Sequence, residues 1–126
     1  VAHFLVPLLR EPGQVWAVRN QRTGRIAVSR LEPAFDPASR RRGLLGRDGL
    51  PGGAAMVLAP CRAVHTWFMR FPIDLVFVAR DGRVVKVCEA VGPWRVRIAL
   101  GGFAVIELNA GTAAHGFRPG DLVELV

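Results

Sequence analysis

The sequence predicts an α+β fold that is mainly β: a small, strand-rich sheet, partly closed toward a barrel, with one or two short helices. Three observations lead there. Fourteen glycines and nine prolines punctuate the chain at short intervals, in the manner of short strands joined by turns. The runs between them are short and rich in β-branched and aromatic residues. Asp81-Gly82, set between two valine-rich runs, is a strong hairpin signal.

With 126 residues, one core and a single domain over 1–126 are expected. Hydrophobic residues make up 51% and mean hydropathy is +0.28, which excludes a disordered chain. The longest apolar runs, Phe4–Leu9 and Leu75–Ala79, fall far short of the ~20 residues of a membrane-spanning helix. Val1 is followed by neither a basic segment nor a cleavage site after Leu9, so no intact signal peptide is expected. The cytoplasm is favoured, with export left open by a leader removed before Val1. Cys61 and Cys88 belong to no C-x-x-C pair, so neither a disulfide framework nor a zinc or redox motif is expected. No metal or cofactor is anticipated, and a monomer is favoured.

The net charge of +7 and pI near 11.4 raise nucleic acid as a partner. Yet Lys86 is the only lysine, and tyrosine is absent. The excess of arginine looks as much like coding bias as selection for charge, so nucleic acid is the least favoured partner.

Taken in order, Val15–Arg19 and Arg25–Arg30 read as strands joined through Asn20–Gly24, with Gly24 free to take a left-handed position. Asp36-Pro37 reads as an N-cap followed by proline in the first helical position, opening a helix from Pro37 to about Leu45. Gly46 is placed to end it. Further strands are expected at Ala55–Ala59, Val64–Met69, Leu75–Arg80, Arg83–Cys88, Phe103–Leu108 and Leu122–Val126, with a second short helix between Gly111 and His115. A two-residue type I′ turn at Asp81-Gly82 sets Val78 opposite Val85, Val76 opposite Val87, and Asp74 opposite Glu89. The four valines are then a buried face, and Arg80 and Arg83 lie in solvent.

The residues Gly43-Leu44-Leu45-Gly46-Arg47, His65 through Asp74, Asp81-Gly82, Pro93-Trp94-Arg95 and Glu107 through Gly111 together resemble domain-of-unknown-function family one-nine-two. The resemblance runs from about Trp16 to Val126. It implies a small α+β fold, mostly strands curled toward a barrel, found in bacterial and archaeal proteins of which some are exported. It implies no agreed activity. Leu45 stands where family members often have Met, and Arg70-Phe71-Pro72 where one branch has Lys-Asn-Thr.

The candidate chemistry is scattered. Strand alternation puts His65, Trp67 and Met69 on one side, where His65 and Trp67 border a pocket or else belong to the core. Asp74 and Glu89 form an acidic pair able to share a proton, hold a cation or clamp Arg70, with a turn-capping or salt-bridged Asp74 as the structural alternative. Arg40, Arg41, Arg42 and Arg47 are the densest basic cluster, suited to a phosphate or carboxylate. Glu107 and Asn109 share one face near a strand end, Asn109 being placed to cap the following turn. Cys61 with His65 is too sparse a set for zinc, and Cys61 is expected in the core. No Walker, G-x-G-x-x-G, G-x-S-x-G or H-E-x-x-H pattern occurs, which leaves the enzyme classes they mark without support.

The leading expectation is a non-catalytic module that binds a small anionic ligand or a protein partner near His65, Trp67, Arg70 and Asp74. The first alternative is a small hydrolase or isomerase using His65 with Asp74 or Glu89. The second is nucleic-acid binding through the arginines.

Overall fold

The computed structural model describes residues 2–126. In chain order the elements are α1 (Val6–Arg10), β1 (Val18–Asn20), β2 (Arg25–Val28), β3 (Arg30–Ala34), α2 (Pro37–Arg42), β4 (Ala54–Leu58), β5 (Ala63–His65), β6 (Ile73–Val78), β7 (Val84–Val91), β8 (Val96–Ile98), β9 (Ala104–Asn109), α3 (Ala113–Gly116) and β10 (Val123–Leu125). The fold is mainly β, as expected. Its strands form a five-stranded sheet in the order β3-β4-β9-β6-β7, a three-stranded sheet β10-β1-β2 and a two-stranded ribbon β5-β8. None of the three closes on itself, so the barrel-like closure expected from the sequence is replaced by open sheets packed together.

The five-stranded sheet is covered on both faces. Val76 and Val78 of β6, Ile106 and Leu108 of β9 and Val57 of β4 point into one core with Leu5, Val18 and Phe117. Leu75, Phe77, Val105 and Leu58 point into the other, with Leu44, Leu50 and Val64. Every residue of β6 is buried, which is why Ile73–Val78 reads as a nearly unbroken apolar run rather than an alternating one. The two buried polar residues in the central pair of strands are carboxylates, Asp74 on β6 and Glu107 on β9, while Asn109 is half-buried at the end of β9.

The β6–β7 hairpin keeps its expected register only in the middle. Leu75 pairs with Cys88, Val76 with Val87 and Phe77 with Lys86, but Val78 pairs with Val84 and Ile73 with Val91. The turn causes the first shift. Gly82 takes φ 91°, while Asp81 accepts from Arg83 N at 3.0 Å through Oδ1 and Ala79 N donates to Arg83 O. Arg80-Asp81-Gly82 is therefore a three-residue loop, not a two-residue type I′ turn. The extra residue at Val85 restores the register and turns Val85 toward the second core, away from Val76 and Val78. Arg80 and Arg83 are exposed, as anticipated.

At the far end Glu89 and Ala90 bulge opposite Asp74, with Ala90 at φ 48°. The Asp74–Glu89 pair does not form. Instead Asp74 Oδ1 accepts from Ala90 N at 2.7 Å and Oδ2 from Ala113 N at 2.8 Å, tying the bulge to α3. Glu89 is left in solvent.

Other boundaries move for local reasons. Gly24 takes φ 69° as expected, but the run Arg25–Arg30 splits at Ser29. Its continuation, β3, joins the other sheet as a parallel neighbour of β4, and as an edge strand tolerates Pro33. The strand expected over Val64–Met69 stops at His65 because the chain turns through Phe68 at φ 62°. α1 and β8 are further elements that periodicity did not reveal.

Val78 is fully buried, so Val78→Ala is expected to lower unfolding free energy by about 1–3 kcal/mol through lost burial and a residual cavity. Arg83→Ala should be nearly neutral. Asp74→Ala leaves two backbone N–H groups without acceptors and should cost on the order of 2–4 kcal/mol. Denaturant titration of the three variants checks this, and a neutral Val78→Ala would contradict the packing described.

Candidate functional site

One cavity of about 290 Å³ brings several of the chemically capable side chains together. It lies between the end of α2, the β4–β5 connection and β9, lined among others by Arg40, Arg41, Arg42, Gly43, Cys61, His65, Met69 and Glu107.

Local sequence places each wall. The Asp36 side chain caps α2 by accepting from Ser39 N at 2.9 Å, and Pro37 occupies the first turn. The helix then ends three residues earlier than the sequence suggested. Gly43, rather than Gly46, ends it at φ 47° and ψ −125°, a conformation that disfavours residues bearing a Cβ. That early exit sends Leu44 into the second core and leaves Arg40, Arg41 and Arg42 in the last turn, facing the negative end of the helix dipole. Arg40 donates to the Phe35 carbonyl, which fixes its stem. Arg41 and Arg42 are exposed and make no ion pair among the described residues.

Glu107 forms the floor. Its neighbours across β9 are Met56 and Leu75, so the carboxyl enters the apolar face of the sheet. Oε1 is buried without a hydrogen-bond partner, and a Cβ on Gly43 would stand 3.5 Å from it. Burial in this apolar wall pushes the Glu107 carboxyl up to about 7, since desolvation penalises the charged form. Cys61 donates to Ala63 O at 3.2 Å, and burial raises its thiol, with Glu107 reinforcing the rise and Arg40 opposing it. Cys61 is thus held as a thiol rather than as a thiolate nucleophile.

His65 ends β5 on the cavity rim, exposed, with its ring stacked on Trp67 at 4.6 Å between centroids. The two meet as adjacent strand-face residues were expected to, although the strand itself has ended.

The remaining sequence candidates lie elsewhere. Arg47 makes a two-pronged contact with Glu32 at 2.8 and 2.7 Å, which holds the Glu32 carboxylate below the usual range and clamps the loop after α2 to β3. Arg70 is exposed and reaches Asp48 and Gly46 O, each at 3.4 Å. Asn109 does not cap the following turn with its side chain; it pins the α2–β4 connection by accepting from Leu50 N at 3.0 Å and donating to Leu50 O at 2.8 Å. Asp74 faces the opposite side of the sheet, beside Ala113 of α3. Of the eight ligand-binding candidates, then, the cavity takes in His65 and Glu107. It joins them to Arg40–Arg42, which the sequence marked only as a basic cluster, and to Gly43, whose part follows from its positive φ. No group of three or more potential metal ligands occurs among the described residues, and none of the described helices is long and apolar enough to cross a membrane.

The signature of DUF192, described as "Uncharacterized ACR, COG1430", matches residues 18–125. None of the curated proteins matches. Two crystal structures are similar. One is a protein of unknown function from Novosphingobium aromaticivorans DSM 12444, with 29% identity, a TM-score of 0.75, and coverage of 87% of this chain and 83% of that one. The other, from Sinorhizobium meliloti 1021, carries the provisional description of a transcription regulator and shows 27% identity, a TM-score of 0.75, and coverage of 99% and 96%.

The raised Glu107 value has a sign that can be measured. The folded-state value, about 7, lies above the ordinary 4.5, so the native state keeps this proton when the unfolded chain has lost it. The resulting stability is fully present below about pH 4.5 and is lost as pH rises through about 7, by roughly 3 kcal/mol at most. Glu107→Gln should flatten the stability profile between those limits, and Glu107→Met should raise stability above pH 7. Unfolding free energies from pH 4 to 8 decide the matter; an unchanged profile in Glu107→Gln would mean that this carboxyl is not the group described.

Proposed function

The chain belongs to the DUF192 family, and from that premise we propose that it is a non-catalytic binding module for a small ligand with an anionic group and a hydrogen-bond donor. The observation that carries this reading is the Glu107 carboxyl, buried at the floor of an arginine-edged cavity with no partner of its own. Leaving a buried acceptor unpaired costs about 1–3 kcal/mol, and Leu or Met would pack there without that cost. A ligand N–H or ammonium group is what the carboxyl lacks. The guanidinium groups of Arg41 and Arg42 supply charge and planar donors for phosphate or carboxylate. The ligand therefore spans the cavity, anionic end toward the last turn of α2 and donor toward β9.

The hydrolase or isomerase reading depended on His65 acting with Asp74 or Glu89. Both Asp74 oxygens are engaged by backbone N–H groups on the far face of the sheet, and Glu89 is solvent-exposed on β7. That leaves His65 without the carboxylate partner the reading required. For nucleic acid, Arg19, Arg22, Arg47 and Arg70 are each paired with a carboxylate, which weakens the case for a free basic surface built from them.

Phosphoethanolamine, which carries both poles, serves as the probe, with inorganic phosphate as the single-pole control. Amide NMR shifts at Gly43, Cys61 and Glu107 are expected with phosphoethanolamine and should be smaller with phosphate. Arg41→Ala with Arg42→Ala, and separately Glu107→Gln, should each weaken binding by roughly tenfold or more, in line with a charged hydrogen bond. Absence of pocket shifts with either probe, or affinity untouched by Glu107→Gln, would remove the proposal.

A further inference from the structure

Beside the cavity the β5–β8 ribbon turns an apolar face outward. Val96 pairs with His65 and Ile98 with Ala63, and all four are exposed. Trp67 continues the face by stacking on His65, and Phe68 meets Trp94 edge-on with ring centroids 4.7 Å apart. Phe68 is 73% exposed, Trp94 57% and Leu100 85%. Few soluble surfaces gather so many large apolar side chains without a purpose.

The rings are held in place rather than left loose. Phe68 and Trp94 adopt φ 62° and 65°, a left-handed conformation unusual for bulky residues. Buried Thr66 fixes both loops: its N–H donates to Arg95 O, its carbonyl accepts from Trp94 N, and its hydroxyl donates to Gly92 O at 2.6 Å while accepting from Arg95 N at 2.9 Å. Strain and a dedicated polar clamp thus maintain aromatic side chains in water, a pattern associated with functional surfaces.

Charge indicates what meets them. The segments 60–73 and 91–106 contain no Asp or Glu and contribute Arg62, Arg70, Arg95 and Arg97; Lys86 reaches the same ribbon, donating to Ile98 O at 2.9 Å. Asp48, 3.4 Å from Arg70, is the acidic group bonded to this set. We propose that this face docks on an anionic lipid surface, with Phe68, Trp94 and Leu100 entering the interfacial layer and the arginines meeting lipid phosphates. Indole and benzyl rings flanked by arginine are the composition of interfacial anchors. A fluid lipid layer receives projecting rings without a shaped receptor. A single strand would stack its bases on Trp67, Phe68 and Trp94 but leave the aliphatic Val96, Ile98 and Leu100 in water, whereas a lipid interface buries both kinds of side chain.

The test is co-sedimentation of the full chain at low salt with vesicles of phosphatidylglycerol and phosphatidylcholine, and with phosphatidylcholine vesicles alone. Binding to the anionic vesicles should be tighter by roughly tenfold or more, since each basic residue near such a surface contributes about a fivefold factor. Phe68→Ser with Leu100→Ser should reduce it by roughly tenfold, as should Arg95→Ala with Arg97→Ala. Val15→Ser, which removes an exposed apolar side chain on a different segment, should leave it unchanged. Leu100 makes no part of the core, so its single variant tests the face even where the double variant misfolds. Equal binding to both vesicle types, no sedimentation with either, or capture of a thymidine oligonucleotide in place of vesicles would overturn the proposal. Glu107→Gln should not alter vesicle binding, which separates this surface from the cavity.

Discussion

The central strands β6 and β9 are buried on both faces, and most of the molecule's chemistry follows from that. A strand sandwiched between two cores has no solvent side on which to put a polar residue, so every polar atom in it needs a protein partner or costs stability. Asp74 and Glu107 are the two acids held there, and they are treated in opposite ways. Asp74 receives two backbone N–H groups, one from the Ala90 bulge and one from the start of α3. It fastens β7 to the α3 turn. Glu107, on the adjacent strand and the opposite face, receives nothing.

The difference lies in what each carboxylate finds above the sheet. Over Asp74 the chain supplies amides because the β7 bulge and the α3 turn converge there. Over Glu107 the chain withdraws. α2 ends at Gly43, the following residues dive into the core at Leu44, and the space left between is the cavity. The Arg47–Glu32 and Asn109–Leu50 contacts hold the rest of that connection against β3 and β9. Arg47 and Asn109 thus stand beside the cavity without lining it.

Much of the architecture was legible because it depends on local chemistry. Asp36-Pro37 announced the start of α2, Gly24 its left-handed turn, and the register drawn from the Asp81-Gly82 turn agrees with the β6–β7 pairing from Leu75 to Phe77. What escaped depends on one-residue events with distant causes. The Arg80–Gly82 loop and the Val85 bulge offset one another, so that the middle of the hairpin matched a turn that does not exist. The bulge at Ala90 is fixed by Asp74 and α3, and nothing within β7 itself signals it. The turns through Phe68 and Trp94 at positive φ are tied together by Thr66, which bonds to the distant Gly92–Arg95 segment, and so neither the end of β5 nor the start of β8 shows in periodicity. The cavity was only half visible for the same reason. Alternation placed Glu107 on a strand face, but whether that face meets amides, solvent or a void is decided by where α2 stops.

These placements also bear on whether the cavity binds or catalyses. A nucleophile needs a base within reach, and a base needs an orienting partner. Cys61 donates a hydrogen bond to the Ala63 carbonyl and is pushed toward the thiol form by burial, while His65 rests its ring against Trp67. Burial raises the Glu107 carboxyl to about 7, and the cations at the rim stand on α2 rather than against it. In the protonated state it donates to an acceptor; in the ionised state it receives a donor or a cation. On the binding reading proposed above, a ligand ammonium at the floor would offset the desolvation penalty by its opposite charge and so favour the ionised carboxylate. On that reading, binding would be accompanied by proton release from Glu107.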